Sequence, residues 1–143
     1  MARKKFICGA YTPVSWPADA ATRDDYVADP TGRTFLFSLE NAHGRAVKLR
    51  LSDSQRPYAL NLDGAACGPG FGSDPDLRLM RTEAAKERRG CRWALSSFEL
   101  DQESERAAGL PPIPFAFDKT LLPGSGCCPG VSFAAAEIEM YQL

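Results

Sequence analysis

The chain has one histidine, His43, in 143 residues, and its five cysteines (Cys8, Cys67, Cys91, Cys127, Cys128) contain no CxxC pair. Zinc ribbons and fingers need closely spaced Cys or His ligands, and a disulfide framework needs an even cysteine count, so neither is indicated. Reduced thiols in the cytoplasm are the expected state. Charge of one sign is not in excess either: 17 Lys and Arg stand against 18 Asp and Glu, a formal net charge of -1. That balance removes the basic footprint expected of a nucleic-acid partner. No apolar run approaches the roughly 20 residues that cross a bilayer, so no transmembrane segment is expected. The basic start "MARKKFICGAYTP" has too short an apolar stretch for a secretory signal.

The apolar residues that are present fall in short alternating segments, each closed by Gly, Pro, Asn or Asp, a pattern of strands. The clearest is "AVKLRLS", with Val47, Leu49 and Leu51 on one face and Lys48 and Arg50 on the other. "KKFICGAY", "RTFLFSLEN", "DLRLM", "RWALSSFEL" and "FAAAEIEMYQL" follow the same habit; in the last, Ile138 and Met140 oppose Glu137, Glu139 and Tyr141. Asn41, His43 and Gly44 suit a hairpin connection with a residue at positive φ, so the strands before and after them should pair antiparallel. "MRTEAAKERRG" is the one plausible helix, of one or two exposed turns. Residues 12–33, 100–109 and 109–130 read as long loops. A length that fits one domain, many short strands and no repeat period predict a mainly β fold, an antiparallel β-sandwich with long loops.

The stretch "CGPGFGSDPDLRL" poses the sharpest chemical question, because glycine-rich loops also grip phosphates and metals. A phosphate loop leads into a helix N-terminus, whereas a strand follows here. A calcium loop needs oxygen ligands at alternating positions, and only Asp74 and Asp76 are offered before the sequence turns apolar. The reading is therefore a corner: Gly68, Gly70 and Gly72 allow positive φ or close backbone approach, Phe71 plugs the core, and Asp76 satisfies backbone donors.

Other residues carry alternatives. Glu137 and Glu139 lie two apart on an expected strand, with Cα atoms about 6.7 Å apart, so they form either a solvated face or paired carboxylates for hydrolase-like chemistry. A triad would have to use His43, but no GxSxG elbow accompanies it. Cys127 and Cys128, adjacent in a glycine-rich loop, are structural thiols or a redox pair. Trp16, in "TPVSWPAD", either pins its loop to the sandwich or stands out as a binding anchor.

Taken in order, "FICGAYTPVSW", "YVADPTGRTFLFSLEN", "CGPGFGSDPDLRL", "ALSSFEL" and "VSFAAAEIEMYQL" resemble successive blocks of the TLDc domain family. The likeness departs at Ala10, where the family has the second glycine of "GGYT", and at Ser73-Asp74-Pro75 in the glycine turn. It covers the C-terminal two thirds to three quarters of such a domain, so residues 1–143 are expected to form a single TLDc-like domain lacking the family's first segment. The resemblance implies an antiparallel β-sandwich of the TLDc type with one or two short helices, and no cofactor or catalytic residue. It also implies a link to oxidative stress protection and a protein partner such as vacuolar proton ATPase subunits. On this reading Gly68, Phe71, Gly72 and Asp76 are family-motif positions, and Trp16, Glu137 and Glu139 are candidate contacts.

Overall fold

The computed structural model describes residues 7–41, 44–62, 69–73, 76–79, 91–93, 97–109, 131–133 and 139–141. These residues are mainly β. Ten strands are β1 (Ile7–Tyr11), β2 (Tyr26–Val27), β3 (Phe35–Glu40), β4 (Val47–Leu51), β5 (Leu60–Asn61), β6 (Gly70–Phe71), β7 (Leu77–Arg78), β8 (Cys91–Trp93), β9 (Phe98–Leu100) and β10 (Val131–Phe133). Short 3-10 turns cover Ala20–Thr22 and Asp53–Tyr58, and one helix, α1, covers Gln102–Ala107. None of the described helices is long and apolar enough to cross a membrane.

The strands form two antiparallel sheets, one of four strands in the order β1-β3-β4-β9 and one of six in the order β10-β8-β7-β6-β5-β2. Alternation along β4 explains its place: Val47, Leu49 and Leu51 are buried while Lys48 and Arg50 are exposed. In the six-stranded sheet the register aligns Val27, Leu60, Phe71, Leu77, Trp93 and Val131 in one row. The neighbouring row of the register is Tyr26, Asn61, Gly70, Arg78, Arg92 and Ser132. Leu60, Phe71 and Leu77 of the first row join Leu36, Val47, Leu49, Leu51 and Phe98 of the other sheet in one buried cluster. Each fully buried leucine there contributes about 1.5–3 kcal/mol of transfer free energy.

The structure differs from the sequence reading at several places, among them residues 12–33, read as a loop, which contain the 3-10 turn Ala20–Thr22 and β2, paired with the distant β5. "RWALSSFEL" is not one strand: β8 lies in the six-stranded sheet and β9 in the four-stranded one, so the chain crosses between layers there. Residues 100–109, read as loop, contain α1, a six-residue helix with acids in its first turn and Arg106 in its last. It lacks an apolar stripe long enough to register as a period, and an ion pair with the β3–β4 connection holds it instead. Met140, placed opposite the glutamates on an apolar face, is 76% exposed, and residues 139–141 have no regular structure. The expected helix in residues 80–90 lies outside the described residues.

Candidate functional site

Of the glycine stretch, β6 and the turn at Gly72 and Ser73 that follows it are held from four sides. Gly72 sits at φ +86°, the left-handed region open to glycine, and its amide donates to the Ala59 carbonyl at 3.2 Å. Asn61 Nδ2 donates to the carbonyls of Gly72 and Ser73, each at 3.2 Å, and the Tyr26 hydroxyl donates to the Ser73 carbonyl at 2.9 Å. Arg78 reaches under Gly70 to donate to Asn61 Oδ1 at 3.1 Å; a β-carbon on Gly70 would lie 2.6 Å from that guanidinium. Phe71 is buried in the shared core, and the Trp16 ring, itself 38% exposed, lies 6.4 Å from it.

Asp76 closes the corner against the opposite sheet. Its fully buried Oδ2 accepts the amides of Ser97 at 2.8 Å and Phe98 at 2.9 Å, so a carboxylate at the head of β7 satisfies the amides that open β9. The Ser73 amide donates to Ser97 Oγ at 2.9 Å, and that hydroxyl also lies within hydrogen-bonding distance of Gln55 Oε1 and Ser73 Oγ. Charge-assisted bonds of this kind, removed from water, are worth more than neutral ones. The loop grips its own chain.

A second buried carboxylate, Asp29, went unnoticed in the sequence. Its Oδ1 accepts the Thr31 amide at 3.0 Å and hydroxyl at 2.6 Å, and its Oδ2 accepts the Thr34 amide at 2.8 Å and hydroxyl at 2.7 Å. Burial pushes this group up, but the threonine hydroxyls and amides outweigh it and hold the pKa at about 2. The available signal was "DPTGRT", an aspartate before proline with threonines two and five residues on.

The outer face of the four-stranded sheet has a different chemistry. Alternation sends Phe35, Phe37 and Leu39 of β3 outward, while Leu36 and Ser38 are buried inside. The Tyr11 ring from β1 lies 5.2 Å from Phe35, and the Phe35 and Phe37 rings are 6.3 Å apart. Phe37 covers Gly9, where a β-carbon would come within 2.6 Å of the ring. The Lys48 ammonium sits 4.6 Å above the Phe35 ring, and Arg50 donates to Glu99 Oε1 through Nε at 2.9 Å and Nη2 at 2.7 Å. Tyr11 is 36% and Leu39 is 49% exposed.

Of the other candidates, Glu139 is exposed and accepts a hydrogen bond from the Tyr141 hydroxyl. His43, Gly68, Cys127, Cys128 and Glu137 lie outside the described residues. Among the described residues, no group of three or more His, Cys, Asp or Glu is placed to hold a metal ion. Comparison with known protein families, curated proteins and solved structures found no match for this chain.

Proposed function

We propose that the chain is a TLDc-like, non-enzymatic interaction module of the cytoplasm. The family resemblance supplies the setting, protection against oxidative stress, and the partner class, subunits of the vacuolar proton ATPase. The observation that carries the interaction reading is the outer face of β3. A strand that places Phe35, Phe37 and Leu39 outward and Leu36 inward has the composition of one covered on both sides. The glycine corner supports a scaffold role for the motif positions, because Phe71 fills the core and Asp76 engages the amides of the facing sheet.

The test is direct binding of the purified chain to the purified soluble sector of a vacuolar proton ATPase, followed by interferometry, with ATP hydrolysis measured alongside. Saturable binding that changes the hydrolysis rate is the expected result. Absence of binding at micromolar concentrations would remove the proton pump from the reading.

A further inference from the structure

We draw no further inference here: the strongest candidate, the outer face of the four-stranded sheet at Tyr11, Phe35, Phe37 and Leu39, is flanked by balanced charges, with Arg50 paired to Glu99 and further influenced by Asp101, and nothing in the structure shows what covers it.

Discussion

Gly72 and Asp76 compete for one volume: the glycine lies at φ +86°, and a β-carbon added to it would collide with Asp76 Oδ1. Gly72→Ala must therefore strain the backbone and push the carboxylate away from the amides of Ser97 and Phe98. A left-handed alanine alone costs about 1–2 kcal/mol, and the displaced carboxylate should bring the total to about 3 kcal/mol. Gly44 supplies the control, because it lies at φ +68° with nothing within 4 Å of its added β-carbon. Urea unfolding should show Gly44→Ala losing only the backbone part. Equal losses at the two positions would mean that the Asp76 contact has no energetic weight.

Asp76 itself can be tested by truncation. Asp76→Ala removes the acceptor from two buried amides, Ser97 and Phe98, and a buried unsatisfied donor costs about 1–3 kcal/mol. Asp76→Asn keeps one acceptor oxygen and should cost less. Hydrogen exchange discriminates this from a general loss of stability: the Ser97 and Phe98 amides should speed up more than amides within β4. Uniform acceleration would argue that the corner does not latch one sheet to the other.

How much of this was legible depends on whether a residue's environment lies near it in sequence. β4 could be read directly, because alternation is local and Val47, Leu49 and Leu51 all face one core. β3 was equally legible as a strand, but nothing in "FLFSLE" says that its second face carries the half-buried Phe35 and Phe37 and the exposed Leu39. The crossing inside "RWALSSFEL" was not legible, since β8 and β9 choose different sheets according to partners far away in sequence. The glycine corner was legible as a turn with an aspartate serving backbone donors; which donors it serves was set by the distant Ser97 and Phe98. Helix α1 was missed because six residues carry too little period, and its anchor, Arg45, is on another hairpin.

Acid sensitivity should follow from Asp29. Its pKa is depressed from 3.8 to about 2, so the unfolded state binds a proton more readily than the folded one as the pH falls. The stabilisation is complete above the unfolded value near 4, declines as pH falls toward 2, and is absent below; its full size is about 2 kcal/mol. Asp29→Asn puts an amide NH2 where one carboxylate oxygen accepts two donors, and so removes the titration. The stability gap between wild type and Asp29→Asn, from urea melts, should be constant from pH 7 to 5 and shrink from pH 4 to 2. A gap unchanged at low pH would assign the acid response to other groups.

Arg45 and Glu105 join the β3–β4 connection to α1 through Nη2 and Oε2 at 2.8 Å, with side chains 20% and 9% exposed. Arg45 Nε and Glu105 Oε1 are both buried without a hydrogen-bond partner, so the pair bears a desolvation cost that one contact only partly offsets. Removing one partner should therefore hurt more than replacing both. Glu105→Ala, which strands a half-buried guanidinium, is expected to cost about 3 kcal/mol, whereas Arg45→Met with Glu105→Leu should cost about 1 kcal/mol or less. Helix exchange tells the two situations apart. The Glu105 amide, bonded to the Asp101 carbonyl at 3.2 Å, should lose protection in Glu105→Ala and regain it in the double variant. If the two single losses instead summed to the double loss, the pair would be an ordinary surface contact, and α1 would owe its place to the β9 chain that leads into it.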